Sequence, residues 1–109
     1  MWNGAKQHSM NDKLYKSTRW EHLRQRILRR DKYMCQYMKR FGKLVPATTV
    51  HHIFPVEDYP QYAFEPWNLI SLCDKAHNIM HDKSNNKLSR VGEELRERVA
   101  LRQGLTIDR

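Results

Sequence analysis

The chain has 109 residues, a length typical of one domain and too short for two. Hydrophobic residues make up 39% and charged residues 29% of the sequence, so we expect a small core. No apolar run approaches 18 residues, which excludes a membrane-spanning helix. The polar first 16 residues lack the apolar stretch of a secretory signal. Two cysteines exclude a disulfide framework, and we therefore expect a protein of a reducing cytoplasm.

The net charge of +8 is unevenly distributed along the sequence. Residues 1–46 carry 12 Lys and Arg against 3 Asp and Glu, whereas residues 47–83 carry 2 against 5 and residues 84–109 carry 6 against 4. A basic half beside a mildly acidic centre suits a protein that binds a polyanion and holds a cation elsewhere. Charge alone leaves open a basic protein with no nucleic-acid role.

The first third of the sequence predicts a polar arm and then a basic helix. Residues 1–16 are polar and are expected to form a flexible basic arm. Residues 17–31 have the apolar spacing of an amphipathic helix, which begins at a Thr18–Glu21 capping box or at Ser17. The outer face of this helix is either a solvated surface or a contact for DNA phosphates. The arginines assigned to that contact are Arg19, Arg26, Arg29 and Arg30.

The rest of the chain predicts a strand–loop–strand–helix unit over residues 47–83 and a final helix over 89–103. The loop between the two strands holds three prolines and many aromatic residues, which indicates packed irregular structure. Asp74 is expected to cap the helix at 74–83, and Ser89 is expected to cap the last helix. Gly104 ends that helix, and residues 104–109 form a tail.

Four of the six histidines fall in two pairs within this unit. His77 and His81 are four apart on the predicted helix, and this spacing places them on one face, where they could share an ion. His51 and His52 are adjacent on the predicted strand, so their side chains point to opposite faces. One of them would complete a three-histidine metal site and the other would serve as general base. The alternative for each pair alone is ordinary surface histidine.

The segment from Val50 to His81 resembles the motif of HNH endonucleases. The resemblance rests on V-H-H-I at 50–53, on Asn68 in W-N-L-I-S-L-C, and on H-N-I-M-H at 77–81. Residues 19–31, with Y-M-C at 33–35, are also similar to the lead-in of small phage and prophage members. The resemblance implies an α+β fold with a ββα-metal (His-Me finger) core and flanking N- and C-terminal helices. The nuclease domain would span residues 17–103.

The family's residue roles carry over to matching positions. His51 matches the first metal ligand, and His77 matches the last histidine of the motif, also a ligand. His81 matches an additional ligand found in colicin-type members. His52 matches the general base, and Asn68 matches the asparagine that braces the loop between the strands. The resemblance therefore implies one divalent ion, either Zn, Ni, Mg or Mn, on three histidines.

The sequence departs from many relatives at their structural zinc site. Those relatives carry two Cys-x-x-Cys pairs, whereas this chain has Cys35-Gln-Tyr-Met and Cys73-Asp-Lys-Ala. Half of the thiolates are missing, so we predict no structural four-cysteine zinc. Cys35 and Cys73 are instead expected to pack close together as small apolar residues.

The resemblance implies a metal-dependent endonuclease that cuts double-stranded DNA with low sequence specificity and leaves 5′-phosphate and 3′-hydroxyl ends. Relatives of this kind often assist the phage terminase in DNA packaging, so the terminase is a candidate partner. The location that the resemblance implies is the cytoplasm of a bacterial host or phage-infected cell. Two other functions stay open: a nucleic-acid-binding module with weak catalysis, and a structural metal-binding domain. A structural domain would favour closed coordination by four protein ligands.

Overall fold

A computed structural model describes residues 12–107 of the chain. Two longer helices flank a small central hairpin, and all contacts discussed below lie within these residues. The elements in chain order are helix α1 Thr18–Arg30, helix α2 Gln36–Lys39, strand β1 Thr49–His52, strand β2 Leu69–Leu72, helix α3 Asp74–Ile79, strands β3 His81–Asp82 and β4 Lys87–Leu88, and helix α4 Arg90–Gln103.

Helix α1 forms where the apolar spacing predicts it. Ser17, the alternative cap, is the residue that caps it, because its Oγ accepts a hydrogen bond from the backbone N–H of Trp20 at 3.1 Å. The buried stripe of α1 packs against Val50 of β1 and Leu69 of β2 in one hydrophobic cluster. The members of that stripe are Trp20, Leu23, Ile27 and Leu28. This packing fixes the basic helix to the back of the hairpin.

Strands β1 and β2 pair antiparallel, with His51 opposite Ile70 and His52 opposite Leu69. Two 3₁₀ turns, Pro60–Tyr62 and Pro66–Asn68, shape the loop between the strands. Its aromatic residues form edge contacts around Phe54, which is 1% exposed. The loop is therefore packed, as its composition predicts, and the expected strand–strand–helix order of residues 47–83 is confirmed.

Helix α3 is shorter than predicted, and its cap is different. It ends at Ile79 rather than near Lys83, because the Ser89 hydroxyl donates to the Ile79 carbonyl at 2.5 Å and the Ser89 N–H donates to the Met80 carbonyl at 2.8 Å. The predicted Asp74 cap is wrong, since Cys73 holds the N-cap position without a side-chain bond. Asp74 instead accepts a hydrogen bond from the Thr48 hydroxyl at 2.6 Å.

Helix α4 begins after Ser89, whose Oγ accepts from the Gly92 N–H at 3.2 Å, and it ends at Gly104 with φ +68°. Gly92 is required by close packing, because a Cβ at this position would lie 2.4 Å from the Met80 carbonyl oxygen. The apolar face of α4 joins the main core, which also contains the buried Cys35 and Cys73. The expected apolar packing of both thiols is therefore found.

The segment before α1 differs from the predicted arm. Residues 1–11 of that arm lie outside the described part of the chain, and residues 108–109 of the predicted tail do as well. Residues 12–16 are helical, and Tyr15 within them packs edge-on against Trp20 with ring centroids 5.5 Å apart. No helix among the described residues is long and apolar enough to cross a membrane.

Candidate metal centre and active site

Three imidazoles converge at the junction of β1, α3 and β3. The ring centroid of His51 lies 5.3 Å from that of His77 and 5.2 Å from that of His81, and the centroids of His77 and His81 are 4.8 Å apart. One nitrogen from each ring lies within 4.8 Å of the other two. This is the donor set expected for one divalent ion with coordination positions left for water or substrate.

The local fold explains how His81 joins the cluster although α3 ends before it. His77 lies in the last turn of α3, and His81 is the first residue of β3. The chain still keeps the two rings together, with their Nε2 atoms 3.2 Å apart. The prediction that both residues lie on one helix is wrong, but the predicted proximity of their rings is found.

Burial and mutual proximity keep these imidazoles neutral. His51 is 2% exposed, and its burial, together with nearby His77 and His81, holds its pKa well below the ordinary value. Burial also lowers the pKa of His77 and of His81. The His51 Nε2 atom is buried without a hydrogen-bond partner. A neutral imidazole with an unused buried nitrogen is suited to binding a metal ion, so the residues present fit the expected group.

His52 faces the opposite side of β1, as the alternation of a strand requires. Its ring stacks on the Trp20 indole, with centroids 4.9 Å apart and planes 20° apart. Its Nε2 lies 3.0 Å from the Ala63 carbonyl oxygen, which can only accept, so Nε2 carries the proton. Nδ1 is then the basic nitrogen. Burial lowers the His52 pKa, while the bond to Ala63 raises it.

Asn68 holds the loop that supplies the Ala63 carbonyl. Its side chain is fully buried, and Oδ1 accepts from the Phe54 N–H at 2.6 Å. Its Nδ2 donates to the carbonyls of Phe54 at 3.2 Å and Tyr62 at 3.1 Å. The two bonds to Phe54 join the ends of the loop and the third holds its middle, and they are the contacts that the predicted bracing role requires.

Tyr15 is a site residue that the sequence did not indicate. Its hydroxyl lies 3.4 Å from His52 Nδ1, and its ring is 6.0 Å from the imidazole. Burial, then the nearby Glu57 carboxylate, raises the Tyr15 pKa, so the phenol stays protonated. Tyr15 falls in a polar stretch without apolar periodicity, and no sequence pattern connects it with a histidine 37 residues away.

The three imidazoles, His52 and Tyr15 open onto one cavity of about 580 Å³. Helix α4 contributes two further lining residues that the sequence did not indicate, Glu93 and Arg96. The site is therefore accessible to a ligand of appreciable size, and it includes a cation from outside the histidine motif.

The arginines assigned to DNA divide into two groups. Arg30 donates to the carbonyls of Pro66 at 2.9 Å and Leu69 at 2.7 Å, and the Arg19 guanidinium lies 3.8 Å from the centre of the Phe64 ring. Arg26 and Arg29 are exposed. All four are on the helix that bears Trp20, so they lie on the same side of the hairpin as the predicted base.

A search of solved structures gives one informative match. The chain resembles the HNH endonuclease of the deep-sea thermophilic bacteriophage GVE2, whose crystal structure contains a manganese ion. The two share 32% sequence identity and a TM-score of 0.65, over 68% of this chain and 80% of that one. No protein-family model and no curated protein matches the chain. Identity and coverage at this level, together with the three-histidine cluster, show that the chain belongs to the HNH endonucleases, which are α+β enzymes that hydrolyse DNA phosphodiester bonds.

Proposed function

We propose that this protein cuts double-stranded DNA with one divalent ion held by His51, His77 and His81 and with His52 as general base. The observation that carries the proposal is the division of two adjacent histidines between the faces of β1. His51 joins the imidazole cluster, while His52 lines the same cavity and points to the other face of the strand. One short strand would thus supply both the base and a metal ligand.

An ion in the cluster, either Zn, Ni, Mg or Mn, would supply Lewis-acid stabilisation of negative charge on the phosphate, undiminished by its three neutral ligands. His52 Nδ1 would take a proton from the attacking water. The Ala63 carbonyl fixes the tautomer in which Nδ1 is unprotonated, and it would also stabilise the imidazolium that forms. The products expected for this family are a 5′-phosphate and a 3′-hydroxyl.

The outer face of α1 supports contact with the DNA backbone. The guanidinium groups of the exposed Arg26 and Arg29 have no intramolecular partner among the described residues. They are therefore the strongest candidates for phosphate contacts. Binding of this kind weakens steeply with salt and carries little sequence information, so we expect low sequence specificity. A role beside the phage terminase in DNA packaging, in a bacterial cytoplasm, completes the proposal.

Two alternatives predict different chemistry at the same cluster. A structural metal domain favours a fourth protein ligand, whereas the cluster found among the described residues has three histidines and opens on a cavity. A binding module without catalysis needs no base, whereas His52 has the tautomer and access that a base requires. Both observations favour the nuclease.

Plasmid nicking tests the proposal. The wild-type protein should nick supercoiled DNA with at least one of Mg²⁺, Mn²⁺, Ni²⁺ or Zn²⁺ and should stop when EDTA is added. His52→Ala should lower the rate by about 10²–10⁴-fold, the usual share of general base catalysis. His22→Ala, at an exposed histidine of α1, is the matched control and should keep the wild-type rate. Equal rates for His52→Ala and wild type would show that the assigned base is wrong.

A further inference from the structure

Arg96 lines the cavity of the three histidines from helix α4, outside the histidine motif. Its neighbour Leu95 and the next-turn residue Val99 are buried in the main core, so this part of α4 is firmly anchored. Arg96 lines the same cavity as His51, His77 and His81. A guanidinium is therefore held at the wall of the site by packing that does not involve the guanidinium itself.

The guanidinium of Arg96 lacks the partners that a part-buried cation normally has. Its Nε atom is buried and has no hydrogen-bond partner. In the described part of the chain no carboxylate forms an ion pair with Arg96, although Glu93 lies one turn earlier on α4 and lines the same cavity. A desolvated, unpaired N–H on a cation is costly, and an acceptor on a ligand in the cavity would remove that cost.

The chemistry of the cavity wall identifies the ligand class. Guanidinium groups bind phosphate through two parallel N–H···O bonds, and this geometry matches two oxygens of one phosphate. The cavity wall also carries the three neutral imidazoles. Glu57, Asp58 and Glu93 line the cavity as well, and they disfavour an anion except where a cation contacts it directly. A second cation at the wall, Lys87, is exposed, whereas the Nε of Arg96 is buried without a partner, so Arg96 is the position where an anion is favoured most.

We propose that Arg96 binds the non-bridging oxygens of the phosphodiester that is cut. This inference rests on the proposed function and adds a phosphate-binding residue to it. The guanidinium would complete its own hydrogen bonding when the phosphate enters, and it would stabilise the additional negative charge that develops there as water attacks. Because that charge is largest in the transition state, the contribution should appear mainly in kcat.

Three variants test the proposal. Arg96→Met keeps a long apolar side chain and removes the charge, whereas Arg96→Lys keeps the charge and removes the paired N–H bonds. Arg98→Met makes the same change at an exposed arginine of the same helix and is the matched control. With Mn²⁺ and a DNA duplex, Arg96→Met should lower kcat roughly 10- to 100-fold, as expected for the loss of a charge-assisted contact. The kcat of Arg96→Lys should lie between the values of wild type and Arg96→Met, and the kcat of Arg98→Met should equal that of wild type.

Manganese stoichiometry and KM distinguish phosphate binding from a structural role. The proposal expects one Mn²⁺ per chain in wild type and in all three variants, with KM changed less than the kcat. An Arg96→Met protein that cuts within twofold of the wild-type rate would overturn the inference. A loss of activity that is matched by loss of bound Mn²⁺ would also overturn it, because Arg96 would then support the fold of the metal site instead.

A binding measurement separates this inference from the proposed function. If the wild-type protein cuts no DNA with any ion, the proposed function fails whatever Arg96 does. Calorimetric titration of inorganic phosphate into the Mn²⁺-loaded protein then decides the inference alone. Phosphate should bind to wild type and to Arg98→Met, and about tenfold more weakly to Arg96→Met. Equal phosphate affinity in wild type and Arg96→Met would contradict the proposal.

Discussion

Asn68 in the interstrand loop and His51 in the histidine cavity are both buried, but their polar atoms differ in hydrogen bonding. In the loop, Asn68 is fully buried and makes three side-chain hydrogen bonds. In the cavity, His51 is 2% exposed, yet its Nε2 has no partner. A folded protein usually pairs its buried polar groups, so an unpaired one needs a reason. The loop pairs its buried groups with its own atoms, whereas the cavity keeps a nitrogen available for the divalent ion that the cluster fits.

The largest expected effect comes from removing the unpaired group. His51→Leu should reduce DNA cleavage to the level seen with EDTA, since one of three ligands is lost. Without metal, the free energy of unfolding of His51→Leu should nevertheless lie within about 1 kcal/mol of the wild-type value or exceed it. The reason is that an apolar side chain replaces a buried polar atom that has no partner. Plasmid nicking and urea unfolding of the metal-free proteins measure both effects. A strongly destabilised His51→Leu protein would contradict this prediction, because it would show that His51 stabilises the fold.

In the loop, where the buried polar groups are paired, a substitution should lower stability. Asn68→Ala should lower the free energy of unfolding by about 3 kcal/mol, because it leaves the buried N–H and carbonyl of Phe54 unpaired. The Tyr62 carbonyl keeps its bond from the Glu65 N–H. Asn78→Ala, at an exposed position of α3, is the control and should change stability by less than about 0.5 kcal/mol. If urea unfolding gives the same free energy of unfolding for both variants, the bracing role assigned to Asn68 is wrong.

The smallest effect is expected at the boundary of the two regions, where Tyr15 contacts His52. The 3.4 Å contact is longer than a strong hydrogen bond of about 2.8 Å, and it occupies the nitrogen that takes the proton. Tyr15→Phe should therefore cut DNA at the wild-type rate or up to about threefold faster, since a weak competing donor is removed. A tenfold slower variant would show instead that the hydroxyl assists the attacking water.

Local patterns in the sequence predicted the parts of the site that depend on local geometry. The alternation of a strand separates His51 from His52, and four-residue spacing brings His77 near His81. Contacts from distant residues could not be predicted in this way. Ser89 and Gly92 set the end of α3, Ala63 fixes the tautomer of His52, and Arg96 lines the cavity only because α4 packs beside it.

Two neighbouring histidines are assigned different tasks, since His51 would bind the ion and His52 would act on the nucleophile. Counting the Mn²⁺ ions bound per chain tests this division of tasks most directly, with wild type, His77→Ala and His52→Ala compared in one titration. The account predicts one ion in wild type and in His52→Ala and loss of that ion in His77→Ala. Loss of the ion in His52→Ala, or its retention at full affinity in His77→Ala, would contradict the account.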